Sequence, residues 1–433
     1  MGLFLCIYLM RIPVRFRLVF MSFLAVFICY IDRVNISVAI IPMQEQFGWN
    51  EAQIGIIFSI FYVGYFFSMA VGGFLADKYG GKKILGFGVL LWSIFTMLTP
   101  AFSYNGFLAL LFIRILIGLG EGITFPSWHS MYARWIPFKE RTRAIAITNS
   151  GIPAGTIFAY VISAIIIASY SWEWVFYSFG ALGLIWFFFW QKDIHSYPEQ
   201  DKNISLEELT LIKNEAPADS NANKIPLLSL LTNLPFMSIA IATFCNNWAL
   251  FTFLSYLPKF VNSPVSMGGL GINLDSSVFI LMVLFPSIVS VTALITGGYL
   301  ADTLIKNGYK VLKVRKTLNT LGFFGSAFCL SMIPLQESHI AIVILLCITN
   351  AFSGLAVGGF GVNHADLGPK YTGSLVGISG SIGMLAAIIS PLVAGLILEI
   401  TGSWVLIFNI CSAALLFGGT FYLIFAGATE QFK

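Results

Sequence analysis

The chain has 433 residues, 58% of them hydrophobic and only 10% charged, with a formal net charge of +4. Soluble domains carry roughly 25% charged residues, so a mean hydropathy of +0.85 excludes a water-soluble globule. The basic residues flank apolar runs, which excludes nucleic-acid binding. Six cysteines stand without CxxC spacing, mostly inside apolar runs, and read as small buried hydrophobes rather than metal ligands or disulfides.

Runs of about 20 apolar residues mark helices long enough to cross a bilayer. Twelve such runs follow one another, at 17–41, 52–75, 84–103, 107–130, 142–168, 173–191, 234–260, 276–301, 317–335, 339–361, 371–398 and 403–426. Arg11, Arg15 and Arg17 precede the first, which is too long for a signal h-region and reads as a retained helix. It carries Tyr30, Asp32, Arg33 and Asn35. Asp32 and Asn35 lie about one turn apart and face similarly, while Arg33 points roughly 100° away. A guanidinium fork bonds a planar carboxylate or phosphate bidentately and stays charged.

The second run ends in Gly73-Phe-Leu-Ala-Asp77, followed by Lys82 and Lys83. The fourth holds Arg114 and Glu121, two helical turns apart on one face, among Gly118, Gly120 and Gly122. Ionised groups at membrane depth mark a functional pathway by default, and small residues let a neighbouring helix approach. Desolvation favours the neutral form of a carboxyl, so Glu121 is the candidate proton carrier. Arg114 pairs with Glu121, reaches a neighbouring helix or substrate, or snorkels outward. His129 and His364 sit near the ends of the fourth and tenth runs, as structural hydrogen-bonders or proton relays. Between the sixth and seventh runs, Lys192–Lys224 is the one long polar segment; Ser205 and Glu208 predict a capping box opening a short helix over Ser205–Lys213.

The second half repeats the first. Gly298-Tyr-Leu-Ala-Asp302 ends the eighth run as Gly73–Asp77 ends the second, again ahead of a basic cluster. Val357 stands roughly where the first half has Glu121. The expected second-half lining is neutral: Asn246, Asn247 and Trp248 on the seventh run, Ser379 and Ser381 on the eleventh, joined by Tyr62, Asn149 and Ser150 from the first half. Lysine and arginine collect in alternate loops, leaving little beyond Lys259 in the others, which puts both termini and the linker in the cytoplasm. The predicted fold is an all-α membrane protein: twelve transmembrane helices in two six-helix pseudo-symmetric bundles around a central cavity. Residues 1–191 form the first bundle, 192–233 a cytoplasmic linker and 234–433 the second bundle.

Four stretches carry a family resemblance: GFLADKYGGKK (73–83), YIDRVNISVAI (30–40), GLGEGITFPSWHSMYARWIP (118–137) and VNHADLGPKY (362–371). The first is similar to a loop found throughout the major facilitator superfamily. Together they resemble its anion:cation symporter family, near the sialic-acid, vesicular glutamate and type I sodium–phosphate transporters. The resemblance implies that Arg33 meets an anion and Asp32 and Glu121 take protons. It also implies that Asp77, Lys82, Lys83 and Asp302 belong to a conformational latch, which a two-state salt bridge can provide. The chain departs from the family at Asn246, where glutamate transporters carry an arginine, at Ile117, where sialic-acid transporters carry a further glutamate, and at Gly380, where asparagine is common. These changes argue against glutamate and sialic acid, and favour a monovalent anion or a larger acid with a neutral body.

The expected function is proton-coupled symport of a small organic anion. The alternatives are sodium coupling, a phosphate-type transporter, or an uncoupled facilitator or exchanger. The expected partners are the anion, the coupling ion and the lipid of an inner cell membrane, with the chain a monomer and no cofactor or metal. No HExxH or GxSxG motif and only four dispersed histidines stand against an enzyme.

Overall fold

The computed structural model describes residues 13–214 and 227–432. Its twelve apolar helices are α1 (Val14–Phe47), α2 (Glu51–Tyr79), α3 (Gly81–Tyr104), α4 (Phe107–Trp135), α5 (Lys139–Ser169), α6 (Trp172–Asp193), α7 (Leu234–Asn262), α8 (Ser277–Lys306), α9 (Val311–Leu335), α10 (His339–Leu367), α11 (Thr372–Thr401) and α12 (Val405–Phe425). They coincide with the twelve predicted runs and extend most of them by a turn. Leu108, Phe112, Phe188, Phe328 and Ile424 are exposed while Asp32, Arg33, Arg114 and Glu121 are buried. That inverts a water-soluble protein, as hydrocarbon solvent requires.

Three spans are interrupted. Pro126 crowds the carbonyl four residues before it, and α4 breaks between Gly122 and Thr124. Pro153 does the same to α5, which breaks at Ser150. In α10 a π-helical turn runs from Val357 to Gly361. The Gly358 carbonyl in that turn accepts from Arg315 Nη1 at 3.1 Å, and Arg315 Nε bonds Asp366 Oδ2 at 2.8 Å.

Two compact units emerge, one of residues 13–36 and 60–214 and the other of 37–59 and 227–432. In the first, glycines form three helix seams. A Cβ on Gly151 would lie 2.7 Å from the Phe23 carbonyl, joining α5 to α1, and one on Gly180 would lie 2.7 Å from the Ser93 carbonyl, joining α6 to α3. On α4, Gly118 meets the Phe61 carbonyl and Gly122 the Tyr65 carbonyl of α2, with no room for a side chain. The second unit repeats this pairing: α7 with α11 at Gly383, α8 with α10 at Gly297 and Gly354, and α9 with α12 at Gly418. Close backbone approach drives helix association in lipid, where the hydrophobic effect offers little.

The linker helix forms over Leu206–Asn214, with the Glu208 amide donating to Ser205 Oγ at 3.1 Å. Only half the capping box is made. The Glu208 carboxylate instead accepts from the Val14 and Arg15 amides, at 3.1 and 3.0 Å, and from Arg15 Nη1 at 3.0 Å. It thereby satisfies donors that a helix N-terminus leaves open. Arg15 Nε also binds Glu140 at 2.8 Å. In the second unit, Lys259 is 7% exposed, bonded to Gln44 and paired with Glu51 at 2.9 Å.

Candidate functional site

The first unit gathers buried charges from α1 and α4 around an aromatic pair on α2. On α1, Cys29 and Arg33 are one turn apart and share a face; on α2, Phe61 and Tyr65 do the same. The glycine seam between α2 and α4 then sets Glu121 beside that aromatic pair.

Arg33 and Glu121 meet as a buried ion pair. Arg33 Nε and Nη2 donate to Glu121 Oε2 at 3.2 and 3.1 Å. The Cys29 thiol donates to the same oxygen at 3.2 Å, and Arg33 Nη2 lies 3.5 Å from that sulfur. Oε2 is thus crowded with donors, whereas Oε1 has no hydrogen-bond partner among the described residues. The guanidinium carbon lies 4.5 Å from the Tyr30 ring centre, 4.6 Å from Tyr65 and 5.6 Å from Phe61. Arg114 stands 4.8 Å over Phe61, so one ring serves two cations.

Desolvating each ion costs several kcal/mol, and removing one partner from a buried pair costs about 3–5 kcal/mol. The rings return roughly 0.5–2 kcal/mol per cation–π contact. The pair is therefore far less costly whole than in halves. A charge change on Glu121 alters what holds Arg33, which is the property an exchangeable anion site needs.

Asp32 is also buried, facing the Trp92 indole of α3 without a hydrogen bond of ordinary geometry. Both polar atoms of the Asn35 side chain and Nε of Arg114 are buried without a partner among the described residues. Native interiors rarely leave such groups unmatched.

The remaining predicted residues are placed as follows. Tyr62 is buried beside Phe61, and Asn149 is half-buried at the α5 break. In the second unit, Asn246 Oδ1 accepts from Ser353 Oγ at 3.1 Å, Asn247 packs against Gly383, and Ser379 Oγ bonds His364 Nε2 at 2.7 Å. Asp77 Oδ1 accepts from Ser130 Oγ at 2.6 Å and lies 3.9 Å from Arg134, while Lys82 Nζ donates to the Gln191 carbonyl at 3.0 Å. Lys83 and Asp302 make no ion pair among the described residues. His129 stacks on Trp128 at 3.6 Å and bonds the Phe125 carbonyl.

Sequence reasoning passed over Cys29, Phe61 and Tyr65. The signal available was spacing alone: Cys29 sits one turn before Arg33, and Phe61 and Tyr65 flank Tyr62 on a run with no charge of its own. Which side of α2 faces α1 is a tertiary fact.

A family model described as Major Facilitator Superfamily matches residues 22–391. The chain belongs to the major facilitator superfamily. Among curated proteins, an Arabidopsis thaliana ascorbate transporter of the chloroplast is 35% identical over 416 residues, covering 96% of this chain and 75% of that protein. A sodium-dependent phosphate transport protein of the same plant's chloroplast is 35% identical over 414 residues, covering 96% and 79%. Sheep (Ovis aries) sialin is 31% identical over 455 residues, covering 96% and 90%. These relatives match the superfamily's anion:cation symporter branch, and the chain is a multi-pass membrane transporter rather than an enzyme. Solved structures agree on the fold. A D-xylose–proton symporter superposes with a TM-score of 0.74 at 15% identity, covering 96% of this chain and 99% of that one. A bacterial homologue of the human lysosomal transporter Spinster superposes at 0.73 and 15%, covering 95% and 97%.

Proposed function

We propose that this superfamily transporter carries a small organic anion together with a proton by alternating access. The two six-helix bundles, 1–191 and 234–433, would move about the linker, with both termini cytoplasmic in an inner cell membrane. The observation that carries this reading is the buried Arg33–Glu121 pair. Deprotonated, Glu121 occupies the guanidinium fork and Asp32 adds to the negative field. Protonation of Glu121 frees the fork for a substrate carboxylate, and the neutralised site can cross between states. Coupling is then the differential affinity of proton and anion for the two conformations. Tyr30, Asn35, Tyr62, Asn149, Asn246, Asn247 and Ser379 orient the substrate body, Arg114 supports the anion through Phe61, and Asp77, Lys82, Lys83 and Asp302 act as the latch.

The names of the ascorbate and phosphate relatives support an anionic cargo. A sodium-coupled, phosphate-type reading is the second, favoured by the unmatched oxygens of Asp32 and Asn35 and by the sodium dependence in one relative's name. Uptake into proteoliposomes decides between them: a panel of sugar acids, amino acids, nucleotides and phosphate, with a pH or a sodium gradient imposed separately. The proposal expects accumulation driven by the pH gradient alone, and Glu121→Gln abolishing accumulation while sparing exchange. Accumulation driven only by sodium, or a Glu121→Gln protein that still concentrates substrate, overturns it.

A further inference from the structure

The second unit carries a groove of about 540 Å³ between the start of α9 and the end of α12. Its lining includes Lys310, Lys313, Lys316, Thr317, Leu321 and Leu423. At 100° per residue the lining residues at the start of α9, Leu312 included, fall within an arc of about 180°, and the three lysines climb only about 9 Å along the axis. Arg315, between them in sequence, turns to the opposite side and is consumed by Asp366 and the Gly358 carbonyl. The lysines are not consumed. Lys310 and Lys313 are exposed, none of the three makes an ion pair among the described residues, and Lys316 reaches only the Ile424 carbonyl, at 3.5 Å. Along the axis the polar groups run from ammonium to threonine hydroxyl and give way to Leu321 and Leu423, both exposed, with Leu312 the one apolar residue among the lysines.

That polar-to-apolar order is the profile of one phospholipid. Lysines at a cytoplasmic helix end set topology, and where three of them line one pocket between membrane helices they are also suited to an anionic headgroup. We propose that the α9–α12 groove is a binding site for an anionic phospholipid, with the lysines on the phosphate and one acyl chain along Leu321 and Leu423. The site is separate from the anion pathway and stands whether or not the substrate reading holds.

The test is thermal unfolding of the full chain in detergent, titrated with phosphatidylglycerol, phosphatidylcholine or inorganic phosphate. Phosphatidylglycerol is expected to raise Tm saturably, and the other two are not. The triple change Lys310→Gln, Lys313→Gln and Lys316→Gln is expected to weaken the phosphatidylglycerol midpoint about 100-fold, from about fivefold per lysine near a membrane surface. Lys192→Gln with Lys202→Gln, which removes charge elsewhere, is expected to stay within twofold. Leu423→Trp fills the groove without changing charge and is expected to weaken the lipid midpoint too, which decides the matter if the triple variant does not fold. A triple variant or a Leu423→Trp protein with the wild-type midpoint overturns the proposal. So does an equal Tm rise with inorganic phosphate or phosphatidylcholine.

Discussion

Replacing Arg33 by lysine tests the site while keeping its charge. The guanidinium makes two bonds to Glu121 Oε2, at 3.2 and 3.1 Å, with Tyr30 and Tyr65 at 4.5 and 4.6 Å. An ammonium can keep the ion pair through one bond but cannot present a fork or lie flat between two rings. The fork is what a substrate carboxylate would use once Glu121 lets go. Losing one charge-assisted bond, worth about 1.5–3 kcal/mol, should raise the half-saturation concentration for the anion about 10- to 150-fold. Arg114→Lys, whose described contact is with Phe61, should change it less than tenfold. The assay is substrate exchange in proteoliposomes across a concentration series, beside thermal unfolding to confirm that the variant folds. An Arg33→Lys transporter that folds normally and keeps its half-saturation concentration within twofold would refute the assignment of Arg33 as the anion's partner.

Other outcomes follow from the same geometry. Cys29→Val removes the thiol donor from the Glu121 carboxylate at nearly constant volume, so proton-driven uptake should persist to higher pH, while Cys29→Ser should restore the wild-type pH profile. Gly118→Val should abolish stable expression or lower Tm sharply, because its side chain would strike the Phe61 carbonyl and overpacking costs typically about 1–3 kcal/mol or more; detergent-solubilised yield and Tm read this out. Glu208→Ala strips the α1 amides and Arg15 of a shared acceptor, for a loss of about 1–3 kcal/mol. Its signature should be faster proteolysis within Leu206–Asn214. Arg315→Met leaves Asp366 and the Gly358 carbonyl without their donor, and should lower Tm more than Lys313→Met two residues away.

Much of the architecture was legible because lipid imposes a one-dimensional rule. A stretch either is apolar for about 20 residues or is not, and the twelve helices matched the twelve runs to within about two turns at every end. The repeated Gly-Phe/Tyr-Leu-Ala-Asp signature likewise anticipated a second set of helix seams built like the first. The buried pair was half legible. Arg33 and Glu121 stood out because charge inside an apolar run has no neutral explanation, and α1 and α4 do bring them together. Their setting was hidden. Phe61 and Tyr65 look like any aromatic residues in a membrane helix, and only the α2–α4 seam turns them toward a guanidinium. Cys29 looked like a small hydrophobe and is also a hydrogen-bond donor. The capping box at Ser205 misled in an informative way, because Glu208 found three stronger donors on α1 than its own Ser205 amide.

The α2–α4 seam has a consequence for how such a transporter can diversify. Where the two helices touch at Gly118 and Gly122, the short Ser68 side chain reaches into the seam beside bare backbone, so the spacing between the aromatic residues of α2 and Glu121 is set largely by main chain. On the proposed reading, a change of cargo cannot come from moving these helices apart. It has to come from exchanging side chains around a fixed frame, and Cys29 and Tyr30 on α1 are the positions that reach the pair without belonging to the seam. Selectivity among related chains would then evolve by repainting one wall of a rigid room.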